Sequence, residues 1–199
     1  MFELVAWYEA EPVSRERAAE TDWEQAAPHP GVAAFAQGFA ELRPGTGLRT
    51  SGDRYAVVTM TSDEADEVST EVYALARAHG LTCYDPVRRL VHNLRPTGAY
   101  RDMQLHTGDG VVTVDPDLGL VRDVLDGLGP ENPFTALVVF GHHFIQVSPE
   151  PGGYEMEYKD SVRDRMYRTR VDDLEEVRRA FEEYALDDRA FLDRHRWEL

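Results

Sequence analysis

Apolar residues along the chain fall into short runs and helical stripes whose breaks are marked by proline, glycine and capping residues. Phe2 to Tyr8 is apolar and aromatic and reads as an opening strand. Ser14 follows as a helix cap, with Ala18, Ala19, Trp23 and Ala26 on the inner face, and Pro28 and Pro30 close that helix. A second helix starts near Gly31 and carries Val32, Phe35, Phe39 and Leu42 at helical spacing. Residues 44–53 (PGTGLRTSGD) read as a loop by composition. Tyr55 to Met60 is the next strand. Thr61 and Glu64 then stand at capping-box spacing ahead of a stripe of Ala65, Val68, Val72, Leu75 and Ala76 that ends at Gly80. Leu81–Tyr84 and Val87–Leu94 read as two short strands around Asp85-Pro86.

The second half repeats this punctuation without repeating the sequence. Residues 96–102 (PTGAYRD) are the candidate linker, or a loop within one continuous domain. Met103–His106 and Val111–Val114 flank TGDG as a hairpin. Asp115-Pro116 reads as cap and first residue of a helix with the stripe Leu118, Val121, Val124, Leu125 and Leu128. FTALVVF, from Phe134, is almost wholly apolar and reads as a central strand buried on both faces. FIQV, YEMEY and RMYRT alternate, as strands with one wet face do. Asp172 and Glu175 form a cap pattern before a last long helix with Leu174, Val177, Phe181 and Tyr184 on its buried side. Phe191 and Trp197 in the tail are expected to dock on the core. The pattern predicts an α+β fold of two α+β halves, 1–95 and 103–199, the second an antiparallel β-meander packed by helices.

Charge narrows the function classes. There are 37 acidic against 21 basic residues, a formal net charge of -16. Acidic residues outnumber basic ones in both halves, so neither offers a basic patch for phosphates, and direct nucleic-acid binding is not expected. A field of this sign speeds encounter with a basic partner, and it also serves plain solubility. The longest uninterrupted apolar run, Ala136–Phe140, is far too short to span a membrane. The start has no basic segment or small-residue cleavage site, and Cys83 is the only cysteine. Both features fit a cytoplasmic protein without disulfides.

No stretch carries a catalytic or cofactor signature. His142 and His143 are adjacent, so on a strand they point to opposite faces, and no cysteine or close carboxylate completes a ligand set. They read as a hairpin-turn pair. The alternative is a metal-dependent hydrolase assembled around them from distant segments. Cys83, with His79 four residues before it, reads as a buried structural thiol rather than a nucleophile. Glu155 and Glu157 share one face of their strand and alternate with Tyr154, Met156 and Tyr158. Aromatics beside carboxylates suit a basic protein partner. The polar side of the last helix carries Asp173, Glu176, Arg179, Glu182 and Glu183, with Glu175 and Arg179 at i, i+4 spacing.

ARAHGLTCYDP is similar to a helix-to-strand passage in small actinobacterial proteins of unassigned function. The closing pattern FIQV, YEMEYKD, YRT, DLEEVRRAFEEYA and a terminal WE resembles acidic α+β proteins, some of them immunity proteins that accompany polymorphic toxins. Where a glycine often follows the acidic strand in that pattern, this chain has Lys159-Asp160-Ser161. Together the two passages cover about a third of the chain. The resemblance implies a non-enzymatic protein without catalytic residues, metal or cofactor, whose partner is a basic toxin domain. Tyr154, Glu155, Glu157, Tyr158, Asp173, Glu176, Glu183 and Trp197 are the candidate partner-binding residues. An adaptor or structural subunit of a bacterial assembly is a further alternative.

Overall fold

A computed structural model describes residues 1–140 and 143–199. The chain divides into two units, Met1–Pro96 and Thr97–Leu199. Among the described residues, six α-helices and two antiparallel sheets make an α+β fold.

In the first unit β1 (Phe2–Trp7), β2 (Gly47–Ser51), β3 (Tyr55–Met60), β4 (Thr82–Asp85) and β5 (Leu90–His92) form a sheet in the order β2-β3-β1-β4-β5. The central strands are apolar at nearly every position because both faces are covered. On one side α2 (Pro30–Leu42) and α3 (Ala65–Ala78) bring Val32, Phe35, Phe39, Val68 and Val72 onto Leu4, Ala6, Ala56 and Val58. Full burial of Phe35 and Phe39 contributes about 1.5–3 kcal/mol each. On the other side α1 (Arg15–Ala19) and a 3-10 turn (Trp23–Gln25) cover Val5, Trp7, Tyr55 and Tyr84.

Three expectations change here. The helix expected from Ser14 breaks after Ala19, because Asp22 turns its carboxylate to the Glu24 amide and starts the 3-10 turn. The expected loop 44–53 contains β2, which pairs with β3 from Gly47↔Thr59 to Ser51↔Tyr55 through a turn at Gly52 (φ 54). The strand expected over Val87–Leu94 is shortened to Leu90–His92, since 86–89 are the turn.

The second unit is a six-stranded sheet in the order β11-β10-β9-β8-β6-β7. Its strands are β6 (Gln104–Thr107), β7 (Val112–Val114), β8 (Thr135–Val139), β9 (His143–Glu150), β10 (Gly153–Asp160) and β11 (Arg165–Val171). The meander runs through β8 to β11, with β8 in the interior of the sheet as its apolar sequence requires. Helices α4 (Leu118–Asp126) and α5 (Leu174–Ala185) pack against each other, and α5 lies over β9, β10 and β11. A short α6 (Ala190–Arg194) follows. Both long-helix caps sit one or two residues later than expected. Asp117 rather than Asp115 accepts from the Leu120 amide, and Asp173 rather than Asp172 accepts from the Glu175 amide. Asp115 instead sits at φ 50 and accepts from the Asp102 amide.

One turn design appears in both units. Asp85 accepts from the Val87 and Arg88 amides and pairs with the Arg88 guanidinium at 3.1 Å, and Arg89 adopts φ 54. Asp160 accepts from the Val162 and Arg163 amides and pairs with Arg163 at 3.0 Å, and Asp164 adopts φ 51. The two four-residue loops close β4–β5 and β10–β11 respectively.

Candidate functional site

Alternation along β10 divides the residues that looked alike in sequence. Tyr154, Met156, Tyr158 and Asp160 share the face toward α5, while Glu155, Glu157 and Lys159 share the opposite face. Tyr158 is therefore not on the wet face. It is only 5% exposed, and its ring meets Tyr184, Phe191 and Trp197 edge-on at centroid distances of 6.3, 5.4 and 6.5 Å. On the other face Glu157 pairs with Arg168 at 2.7 Å, and Glu155 stands in register with Arg170, so arginines of β11 offset the acidic strand.

The charged side of α5 is also largely committed. Asp173 caps the helix. Glu183 binds Arg194 at 2.6 Å and Arg179 at 3.1 Å, and Glu176 binds Arg194 at 3.1 Å, so these carboxylates clamp α6 onto α5. Glu175 pairs with Arg122 and Arg178, not with Arg179. At the C-terminal end of α5 and beyond it, Glu182, Asp187, Asp188 and Asp193 are exposed. The last turn of α5 has no basic residue, so the helix dipole disfavours Glu182, whereas Asp188 accepts from the Ala190 amide at the start of α6 and Asp193 lies in the first turn of α6.

Around Tyr158 the second unit forms an open basin of about 680 Å³. Its walls are His143 from β9, Tyr158 from β10, Tyr167 from β11, and Arg189, Leu192 and Trp197 from the C-terminal segment. The tail holds Trp197 in place. Arg168 and Glu198 exchange two backbone hydrogen bonds of 2.8 Å, and the indole N–H donates to the Phe191 carbonyl at 3.3 Å.

Arg189 is the only basic group of the basin with aromatic rings beneath its charge, 5.0 Å from the Tyr184 centroid and 5.9 Å from that of Tyr100. Its Nη2 donates to the Tyr100 hydroxyl at 2.6 Å and lies 3.2 Å from Asp187. Tyr100 reaches this position because Ala99 donates to the Ala185 carbonyl and Gly98 passes where a Cβ would meet that carbonyl at 2.6 Å. Asp187 has φ 62, and the Asp187 and Asp188 amides return to the Tyr184 and Glu183 carbonyls in a Schellman closure of α5. Glycine is the usual residue at that position.

The electrostatics of the basin follow from this arginine. His143 stacks on Tyr184 at 5.9 Å, and burial, followed by the Arg189 charge, lowers its pKa below the ordinary imidazole value. Its Nδ1 accepts from the Ser161 amide at 3.4 Å, which leaves the ring proton on Nε2. Burial raises the phenol pKa of Tyr158, so it keeps its proton. Burial also works to raise the Asp160 carboxyl, but amide hydrogen bonds from Arg163 and Val162 and the Arg163 guanidinium hold it below the usual carboxylate range.

His142 lies outside the described residues. Among those residues, no group of three or more His, Cys, Asp and Glu side chains is placed to hold a metal ion. Cys83 is buried in the first-unit core, and burial raises its thiol pKa. Among the described residues no helix is long and apolar enough to cross a membrane. Tyr100, Tyr167, Asp187 and Arg189 were not singled out in the sequence. The one local signal was Asp187-Asp188-Arg189, a charged break directly after an apolar helix stripe. Comparison with protein-family models, curated proteins and solved structures gives no match.

Proposed function

We propose that the protein is a non-enzymatic binding protein that captures a basic protein domain, in the manner of an immunity protein that masks a toxin. The observation that carries this reading is the group of exposed carboxylates formed by Glu182 in the last turn of α5 and Asp187, Asp188 and Asp193 beyond it. Of these, Asp187 pairs with Arg189 and Asp188 accepts from the Ala190 amide at the start of α6, while Glu182 sits in the last turn of α5, where the helix dipole disfavours negative charge by about 0.3–1 kcal/mol. The formal charge of -16 adds long-range attraction for a basic partner. Of the residues expected from sequence, Glu155 and Asp173 are exposed, and Tyr154, Glu157, Glu176, Glu183 and Trp197 are half-buried.

The test is co-expression with candidate toxin domains encoded beside it. Protection of the cell, together with a one-to-one complex that weakens as salt rises, is the expected result. Neither complex nor protection would discard the reading.

A further inference from the structure

We infer that the basin between β9, β10, β11 and the C-terminal segment is a binding site for a small organic carboxylate with an aromatic or apolar body. The inference stands apart from the partner reading, because it concerns the side chains that line this open basin rather than the acidic residues at the end of α5.

Size and wall chemistry come first. A volume of about 680 Å³ falls within the range of roughly 300–1,000 Å³ usual for small-molecule sites. Tyr167, Trp197 and Leu192 give it apolar walls, and Tyr158, His143 and Arg189 give it hydrogen-bond donors. This is the pattern of a mainly apolar pocket with a few convergent polar groups.

The arrangement of charge then narrows the ligand. The ionised lining groups are Asp160, Arg163 and Arg189, with Asp187 against Arg189 at 3.2 Å, so the basin wall is balanced within a chain of formal charge -16. Asp160 is turned away from ligand duty, since it is occupied by two amides and the Arg163 guanidinium. Arg189 bonds the side chains of Tyr100, Asp187 and Tyr158 and two backbone carbonyls at 3.2 and 3.5 Å, the second at the limit of a useful hydrogen bond. Its side chain remains 27% exposed. A guanidinium fork held over tyrosine rings matches a planar carboxylate in two-point geometry. A cationic ligand would meet Arg189 already seated on the aromatic faces it needs.

Asp187 is the positioning residue. It keeps a left-handed backbone that glycine would adopt more easily, and its carboxylate ties Arg189 and the Tyr100 hydroxyl together at the basin wall.

The experiment is ligand-observed NMR and calorimetry on the full chain with 3-phenylpropionate, against 3-phenylpropylammonium as the cation of matching shape. The anion is expected to saturate a single site and to bind at least about tenfold more tightly than the cation, as a charge-assisted pair requires. Arg189→Gln is expected to lose about tenfold or more in anion affinity. Tyr158→Phe, which keeps the ring and removes one donor, is expected to lose a few-fold, so the inference stays testable if Arg189→Gln fails to fold. Equal or tighter binding of the cation, an anion affinity indifferent to both substitutions, or no saturable binding of either compound would overturn the inference. None of these outcomes depends on whether a protein partner is captured.

Discussion

Asp187 and Arg189 pair at 3.2 Å across a single intervening residue, and the pairing is possible because Asp187 holds φ 62 at the end of α5. A non-glycine residue in this conformation carries strain of about 1 kcal/mol or more. Asp187→Ala is therefore expected to be less stable than Asp187→Gly by about 1 kcal/mol, because only glycine relieves the backbone. Both variants lose the carboxylate. Urea unfolding of the two side by side measures the difference, and equal midpoints would show that the position is unstrained.

His92 provides a pH-dependent term in the first unit. Its ring stacks on Tyr73 at 3.7 Å, and neither ring nitrogen has a hydrogen-bond partner among the described residues. Burial, reinforced by the Arg88 charge, lowers its pKa from 6.5 to about 3. The folded state thus holds the neutral ring while the unfolded state takes up a proton. The stabilisation is complete above the unfolded pKa and is lost as pH falls from 6.5 toward 3. The slope approaches 1.4 kcal/mol per pH unit, as an order-of-magnitude figure. Stability measured between pH 7 and pH 4 should decline less steeply in His92→Phe. An unchanged slope would remove His92 from the account.

The recurring Asp–Arg turn allows a matched comparison. Removing either aspartate takes away the acceptor of two backbone amides and one partner of an arginine. The Arg88 side chain is only 17% exposed, against 71% for Arg163, so water replaces the second aspartate more readily. Asp85→Ala is expected to cost about 2–3 kcal/mol and Asp160→Ala about 1 kcal/mol. Thermal or urea unfolding gives both values, and the reverse order would contradict the solvation argument.

Cys83 is expected to resist thiol reagents in the native protein. It sits in the core of the first unit, and burial raises its pKa, so little thiolate forms at neutral pH. Labelling with a thiol-reactive chromophore should proceed only on unfolding. Rapid labelling of the folded chain would show that β4 opens locally.

What the sequence disclosed, and what it did not, follows from how each signal is encoded. FTALVVF announced an interior strand because β8 lies inside the sheet with Thr135, Ala136, Leu137 and Val139 buried, and the stripe Val177, Phe181 and Tyr184 announced the buried side of α5. The strand Gly47–Ser51 stayed hidden because an edge strand with exposed positions shows neither apolar run nor clean alternation. Trp197 was expected to dock, and its seat against Phe191 agrees. The basin was illegible for a different reason. Its parts are drawn from residues 143 to 197, and Tyr100, which steadies Arg189, lies in a stretch that read as a linker. The carboxylates Glu176 and Glu183 looked like a solvated face because their partner Arg194 lies beyond the helix, in α6.

The central claim, that the acidic end of α5 captures a basic partner, is tested most directly by one binding measurement. A toxin domain encoded beside this chain is titrated with the native protein and with a Glu182→Gln, Asp188→Asn, Asp193→Asn variant. Asparagine at 188 keeps an oxygen for the Ala190 amide, so α6 retains its start, and Asp187 is untouched. The account predicts a complex with the native protein that weakens with added salt, and an affinity about tenfold or more lower for an equally stable variant. Absence of a complex, or a complex indifferent both to salt and to the three substitutions, would contradict it.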